Sequence, residues 1–350
     1  MTQGARPVET GRYLVTGGAG FIGANFVHEL MRRHPKARVT VLDKLTYAGN
    51  LRNLDPVRDD PRFRFVQGDI ADEAQAESLL AEGFDFVLNF AAETHVDRSI
   101  GDPSSFVKTD VFGVYSLLEA IRRHPISLFV QISTDEVYGE ILEGAATEEA
   151  PLMPRNPYAA SKAGGDRLAY SYWATYGIPV VVTRCSNNYG PYQYPEKLIP
   201  LFVTNAIDDQ KLPVYGNGKN TRDWIHVRDH CSALLTLLET PGIEGEVFNV
   251  GAGNERDVLE IADRLLALTG KPKSLVAPVV DRLGHDRRYA VDFGKLGRRT
   301  GWRPQVDFET GLAETAAWYR ENADWWRPLK SGEFLEYYRR NYRFLEEKRT

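Results

Sequence analysis

The chain alternates short apolar runs with longer segments whose apolar residues recur every three or four positions. The apolar runs are continuous and rich in Val, Ile, Leu and Phe, which is typical of strands buried on both faces of a parallel sheet. Up to residue 184 they occupy residues 12–16, 39–43, 63–66, 84–90, 128–133 and 178–183. The order of strands and helices predicts an α/β fold with a doubly wound parallel sheet.

Two long helices with broad apolar faces are predicted over residues 103–123 and 157–176. The start of the second is indicated by Asn156 followed by Pro157. After Arg184 the spacers lengthen and turn residues become frequent. We therefore predict that residues 1–184 form the main domain. Residues 185–350 are predicted to form mainly a smaller C-terminal substrate-binding lobe, with some segments returning to the main domain.

A glycine-rich turn joins the first strand to the first helix. Gly17, Gly20 and Gly23 have Gly-x-x-Gly-x-x-Gly spacing, which lets the backbone approach a pyrophosphate at a helix N-terminus. The second strand ends in Asp43, where an acid would bind the ribose 2′-hydroxyl and repel a 2′-phosphate. This pattern predicts a Rossmann-type domain that binds NAD rather than NADP. The alternative is a structural turn with an ordinary surface aspartate.

Further strand ends extend the predicted cofactor site. Asp69 follows the third strand and could approach the adenine amino group, whereas the small Ala91 and Ala92 follow the fourth strand and leave room for the cofactor. The predicted cofactor residues are Gly17, Gly20, Phe21, Ile22, Gly23, Asp43, Asp69, Ile70, Ala91, Ala92, Tyr158 and Lys162.

Thr134, Asp135 and Glu136 follow the fifth strand directly. Open α/β sheets bind ligands at the carboxyl ends of their strands. Adjacent carboxylates that are buried to different degrees can acquire different pKa values, so that one serves as an acid and the other as a base. The alternative for such a pair is a solvated turn.

Tyr158 and Lys162 lie four residues apart on the predicted helix 157–176, and hence on one face. The Lys162 ammonium, helped by a cationic nicotinamide, is expected to lower the pKa of the Tyr158 phenol so that it can act as a base. Tyr215 and Lys219 repeat this spacing, but in a Gly-Asn-Gly loop. The order of motifs indicates one catalytic set, which consists of Thr134, Asp135, Glu136, Tyr158 and Lys162.

Composition narrows the class of protein. A net charge of −5 and a pI near 5.9 argue against nucleic acid as a partner. The two cysteines are too few for a disulfide framework. Residues 1–10 lack the apolar core of a signal peptide, and no apolar run approaches the roughly 18 residues of a membrane span. We expect a soluble, cytoplasmic protein without a membrane partner.

The C-terminal lobe contains amides and cations suited to a diphosphate sugar, namely Asn187, Lys197, Arg222 and Arg287. His226 and His230 could share a helical face as metal ligands, but no acidic third ligand completes the pair, so no metal is predicted. A loop histidine satisfied within the protein is the favoured interpretation of His95. We interpret the aromatic residues Trp318, Tyr319, Trp325 and Trp326 as side chains that pack within the protein. The tail after Lys330 suggests no chemistry.

Together with these patterns, four further segments resemble those of a known family: residues 92–99, 187–200, 222–224 and 284–289. Over nearly its whole length the chain resembles the extended short-chain dehydrogenase/reductase family, and within it most resembles the dTDP-glucose 4,6-dehydratases. The resemblance implies NAD, a dTDP-glucose substrate, and a homodimer built on the two long helices. The predicted substrate-binding residues are Thr94, Asn187, Asn188, Lys197, Leu198, Arg222, His226, His285 and Arg287.

The resemblance also implies a reaction. Tyr158 would take the proton of the C4 hydroxyl, Thr134 would hydrogen-bond that oxygen, and the C4 hydride would pass to NAD. The new ketone acidifies C5, so that Glu136 can remove its proton while Asp135 protonates the departing C6 hydroxyl. Return of the hydride to C6 gives a 4-keto-6-deoxy sugar. Three alternatives stay open: a 4,6-dehydratase of a UDP- or CDP-hexose, a nucleotide-sugar 4-epimerase, and a non-enzymatic nucleotide-sugar sensor.

Overall fold

The computed structural model describes residues 6–282 and 284–342, so part of the leader and the end of the tail lie outside the described residues. The strands are β1 (Arg12–Thr16), β2 (Arg38–Asp43), β3 (Phe63–Gln67), β4 (Phe86–Asn89), β5 (Leu128–Thr134), β6 (Val180–Cys185), β7 (Asn187–Tyr189), β8 (Leu212–Tyr215), β9 (Thr221–His226), β10 (Val247–Val250), β11 (Glu255–Asp257) and β12 (Val276–Val279). The helices are α1 (Phe21–Arg33), α2 (Glu73–Leu80), α3 (Val96–Gly101), α4 (Pro103–Val107), α5 (Val114–Arg123), α6 (Pro157–Tyr176), α7 (Leu198–Ile207), α8 (Val227–Glu239), α9 (Val258–Thr269), α10 (Gly294–Thr300), α11 (Phe308–Glu321), α12 (Ala323–Trp326) and α13 (Glu333–Tyr342).

The main sheet has seven parallel strands in the order β10-β6-β5-β4-β1-β2-β3. After β3 the chain crosses back to place β4 on the other side of β1, and such a reversal opens a crevice at the carboxyl ends of the strands. Apolar clusters fill both faces of the sheet, and β5 is buried along its whole length. The predicted doubly wound, Rossmann-type sheet is confirmed, and β10 extends it by one strand.

Two helices pack side by side next to β5. Helix α6 begins where the Asn156 side chain accepts the Ala159 N–H at 2.8 Å, and it ends at Gly177, whose φ is 71°. The chain from α4 to α5 is helical as predicted, but it is π-helical over Lys108–Gly113. A Cβ atom at Gly165 would lie 2.2 Å from the carbonyl oxygen of Asp110. The missing side chain therefore lets this segment approach α6 closely.

The C-terminal lobe is built around a three-stranded sheet, β11-β9-β7, and a parallel pair, β8 and β12. Its core contains Tyr319, Trp325 and Trp326, which are buried, and Trp318 packs against this core. The aromatic residues therefore pack, as predicted. β10 pairs with β6, and α8 packs on α1, so these segments return to the main domain. The boundary at residue 184 stays a prediction.

Cys185 and Cys231 are both buried, and neither forms a disulfide bond. Among residues 6–282 and 284–342, no helix has the length and apolar character needed to cross a bilayer.

Candidate active site

A cleft of about 410 Å³ runs along the carboxyl ends of the main-sheet strands and continues into the C-terminal lobe. All the predicted catalytic and cofactor residues line it. So do most of the predicted substrate-binding residues: Thr94, Asn187, Asn188, Lys197, Leu198, Arg222 and His285. The structure thus brings the separate sequence motifs into one continuous cavity, although it does not test their individual roles.

The glycine turn has the shape that a dinucleotide requires. A Cβ atom at Gly17 would lie 2.5 Å from Ala91 N, and one at Gly23 would lie 2.4 Å from Gly17 O. Asp43 Oδ2 accepts the Ala19 N–H at 2.9 Å, and Oδ1 accepts the Leu45 N–H at 2.8 Å. These bonds fix the carboxylate beside the turn. The residues fit NAD, since a tight cradle for a pyrophosphate adjoins an acid placed for a ribose.

The two adjacent acids have different environments. The Thr134 hydroxyl accepts the Glu136 N–H at 3.3 Å and starts the short helix Asp135–Tyr138. Asp135 is only 3% exposed, and its burial, with the neighbouring charge of Glu136, raises its pKa well above the usual range. Glu136 is half-buried, and one of its oxygens lies 3.4 Å from the Tyr289 hydroxyl. The structure thus places a carboxyl group whose burial favours its protonated form beside a second, more accessible carboxyl group.

Tyr158 and Lys162 occupy the first two turns of α6. Lys162 Nζ donates to the Ile132 carbonyl at 2.8 Å, so β5 holds the ammonium beside the cleft. Burial, followed by the charges of Glu136 and Asp110, raises the pKa of Tyr158 well above 10.0. The pKa is raised because Tyr158 is enclosed and shares the site with several carboxyl groups. The lowering by Lys162 together with a cationic nicotinamide stays a prediction.

The sugar-nucleotide end of the cleft holds several cations. Lys197 Nζ donates to Thr94 Oγ1 at 3.0 Å. Arg222 Nη2 donates to the Asp286 carbonyl at 2.9 Å, and the Arg222 guanidinium lies 4.2 Å from the centre of the Tyr289 ring. These contacts position positive charge near the catalytic carboxyl groups.

Two predicted substrate-binding residues lie outside the cleft. Arg287 is exposed, and its backbone N–H donates to Glu140 at 2.7 Å. His226 is buried and caps α8, because its Nδ1 accepts the Arg228 N–H at 3.2 Å. Neither residue lines the cleft. The structure therefore does not bring these two side chains to the cleft, and their assignment as substrate-binding residues stays a prediction.

The two histidines considered as metal ligands make other contacts. His230 Nδ1 lies 3.0 Å from Asn188 Oδ1. In the described part of the chain, no group of three His, Cys, Asp or Glu side chains could hold a metal ion. His95 is buried beside the cleft, 3.3 Å from the Tyr337 hydroxyl, and so has a partner within the protein.

Arg282 and Tyr342 are two of the residues on the lobe side of the cleft that sequence reasoning missed. Arg282 Nη1 lies 3.6 Å from Asp97 Oδ1. Tyr342 ends α13, in the tail to which the sequence assigned no chemistry, and packs on Tyr215 with ring centroids 5.8 Å apart. Tyr337 of the same helix donates its hydroxyl proton to Asp97 Oδ2 at 2.8 Å.

Comparisons with known proteins agree with this geometry. Residues 14–315 match the family model described as GDP-mannose 4,6 dehydratase. The chain is 54% identical to dTDP-glucose 4,6-dehydratase of Streptomyces niveus, over 91% of this chain and 96% of that protein. Among solved structures it is similar to the dTDP-glucose 4,6-dehydratase DesIV of Streptomyces venezuelae, solved with NAD and dTDP, at 52% identity and a TM-score of 0.89. That likeness covers 91% of this chain and all of the other (100%).

A second solved structure is the dTDP-glucose 4,6-dehydratase of Bacillus anthracis, in complex with NAD. It is 48% identical to this chain, with a TM-score of 0.85, and the likeness covers 91% of this chain and 99% of that one. The similarity therefore extends over both the main domain and the lobe.

Proposed function

We propose a reaction for this chain, which belongs to the dTDP-glucose 4,6-dehydratase family: the conversion of dTDP-glucose to dTDP-4-keto-6-deoxyglucose and water. The observation that carries the proposal is the convergence of Asp135, Glu136 and Tyr158 on one cleft beside the glycine turn. A redox step alone needs only the tyrosine and lysine. The added pair of carboxyl groups is what the loss of water requires, so the enzyme is a hydro-lyase.

The first step needs a base at the C4 hydroxyl. Tyr158 is the proposed base, Thr134 hydrogen-bonds the same oxygen, and Lys162 holds positive charge on the same face of α6. NAD, when bound at the glycine turn, supplies a positive charge beside the phenol and a reversible hydride acceptor. Because the enclosed phenol is neutral at rest, the nearby cations must stabilise the phenolate as it forms.

The second step is the elimination of water. Oxidation at C4 acidifies the C5 hydrogen, so the proposed base Glu136 takes this proton and the electron pair of the C5–H bond passes into the enolate. Asp135 then donates its proton to the C6 oxygen, which leaves as water. The raised pKa of Asp135 has the correct sign for this role, since burial favours the protonated form of the carboxyl group. Return of the hydride to C6 and of a proton to C5 gives the 4-keto-6-deoxy sugar without net oxidation.

The nucleotide of the substrate is testable directly. Purified protein incubated with dTDP-, UDP-, CDP- and GDP-hexoses should convert dTDP-glucose to a product lighter by one water molecule. A product formed only from a UDP- or CDP-hexose would replace the proposed substrate, and an isomer of unchanged mass would indicate a 4-epimerase. Binding without any product would favour the sensor.

Two arginines from the same predicted binding set provide a matched comparison. We expect Arg222→Ala to raise the KM for dTDP-glucose by about 10- to 100-fold, since hydrogen bonds to charged groups contribute about 1.5–3 kcal/mol. Arg287→Ala should leave KM within about twofold, because surface substitutions away from a site have small effects. Steady-state kinetics of both variants measure the difference. Equal increases in KM for the two variants would show that Arg287 also binds the substrate.

We also propose a homodimer, built on the α4–α5 segment and α6. Both helices carry exposed apolar side chains, among them Val107, Phe112 and Tyr176, which are 56%, 41% and 51% exposed. Sedimentation should show a dimer, and Phe112→Lys should shift it toward monomer, because a buried unpaired charge is costly. A monomeric parent protein would contradict the proposal. A cytoplasmic location is proposed as well, supported by the two unpaired cysteines.

A further inference from the structure

Tyr289 lies directly behind the proposed base. Its hydroxyl is 3.4 Å from Glu136 Oε2 on one side and 2.5 Å from Asp286 Oδ2 on the other. The tyrosine is only 3% exposed and Asp286 only 1%. Tyr289 does not line the cleft, so its hydroxyl reaches the reacting atoms only through Glu136.

The hydroxyl carries a single proton, which it can donate to one carboxyl group at a time. The much shorter distance places this proton on the Asp286 side. Burial, the charge of Glu136 and the bond to Asp286 all raise the pKa of Tyr289, so the group stays a neutral phenol. The phenol oxygen is then left with lone pairs available to Glu136.

Asp286 is itself held in place. Arg155 Nη1 contacts Asp286 Oδ1 at 2.8 Å, which leaves Oδ2 for the tyrosine. The Asp286 carbonyl oxygen accepts Arg222 Nη2, a contact that does not involve the carboxylate. Arg155, Asp286 and Tyr289 therefore form an ordered row that ends at Glu136.

A hydrogen-bond acceptor next to Glu136 can stabilise the protonated form that Glu136 reaches during the reaction. Arg222, Arg282 and Lys197 interact electrostatically with Glu136, and nearby cations favour an ionised carboxylate over its protonated form. The same carboxylate must nevertheless take a proton from carbon. A group that stabilises the protonated form offsets part of this difficulty.

We propose that Asp286 and Tyr289 act as a positioning pair that accepts a hydrogen bond from Glu136 once Glu136 has taken the C5 proton. The C5–H bond breaks, its proton forms the new O–H bond of Glu136, and its electron pair passes into the enolate. The new O–H donates to the Tyr289 oxygen, while the tyrosine proton stays on the Asp286 side. This inference rests on the proposed function, because it presupposes that Glu136 is the base.

The test is Tyr289→Phe, which removes the hydroxyl but retains the ring beneath the Arg222 guanidinium. In deuterated water, we expect deuterium to enter C5 about three- to tenfold more slowly, in keeping with the loss of one hydrogen bond. Reduced nicotinamide should accumulate on the enzyme during a single turnover, since the oxidation step does not use this residue. The KM for the sugar nucleotide should change by less than about twofold, because the retained ring keeps Arg222 in its position.

Two further variants make the test specific. In Asp286→Asn, Arg155 keeps the amide oxygen, so the amide nitrogen faces Tyr289 and turns its hydroxyl proton toward Glu136; C5 exchange should slow again. Tyr319→Phe is the matched control, because this buried tyrosine of the same lobe donates to the Gln193 carbonyl at 2.5 Å, away from Glu136. Its C5 exchange should equal that of the parent protein.

Normal C5 exchange in folded Tyr289→Phe, or a raised KM with normal exchange, would overturn the inference. If that variant does not fold, normal exchange in Asp286→Asn overturns it instead. If C5 exchange is also slow in the Tyr319→Phe control, the slowing reflects a general loss of stability, and the inference is overturned. If the parent protein neither releases water nor exchanges C5, the proposed function itself fails.

Discussion

Replacing Glu136 with glutamine should stop exchange of the C5 hydrogen with solvent deuterium while the protein still binds NAD and the sugar nucleotide. The amide has nearly the shape of the carboxylate but cannot take a proton from carbon. Product formation should fall by roughly 10²- to 10⁴-fold, the usual contribution of a general base. Reduced nicotinamide should accumulate, because oxidation at C4 precedes the step that is blocked.

Glu148→Gln is a suitable control for Glu136→Gln. Glu148 is also half-buried, lies outside the cleft, and accepts the Asn249 N–H through Oε1 at 2.9 Å. Mass spectrometry of the recovered sugar nucleotide measures exchange in both variants. Normal exchange in Glu136→Gln would remove this residue from the role of base.

Tyr158→Phe should block the reaction one step earlier. Without the phenol oxygen, nothing at that position takes the C4 hydroxyl proton, so no reduced nicotinamide should form and turnover should fall by roughly 10²- to 10⁴-fold. In the parent protein, the raised pKa of Tyr158 means that the phenolate fraction grows as pH rises. The rate of the oxidation step should therefore increase with pH across the neutral range.

The absorbance of bound reduced nicotinamide after rapid mixing with substrate measures this step. Tyr170→Phe is the control, since Tyr170 lies on the same helix but is 37% exposed. An unchanged absorbance rise in Tyr158→Phe would refute its role. The two central predictions thus separate cleanly: the Glu136 variant accumulates reduced nicotinamide, and the Tyr158 variant does not form it.

Sequence alone was sufficient wherever a short stretch of chain determines its own geometry. The continuous apolar runs predicted six of the seven strands of the sheet, because strands buried on both faces cannot alternate in polarity. The glycine spacing, the start of α6 at Pro157 and the shared face of Tyr158 and Lys162 follow from backbone sterics and the helical period. The adjacency of Asp135 and Glu136 needed no folding at all.

Only the tertiary structure decided which distant residues complete the site and how the acids differ. The burial that raises the pKa of Asp135 comes from elements packed around it, and Tyr289 meets Glu136 across 153 positions of sequence. Arg282 faces the cleft and Arg287 does not, although their sequence neighbourhood is the same. Spacing along a chain determines a local face, whereas burial, charge environment and long-range partners arise from the way whole elements pack together.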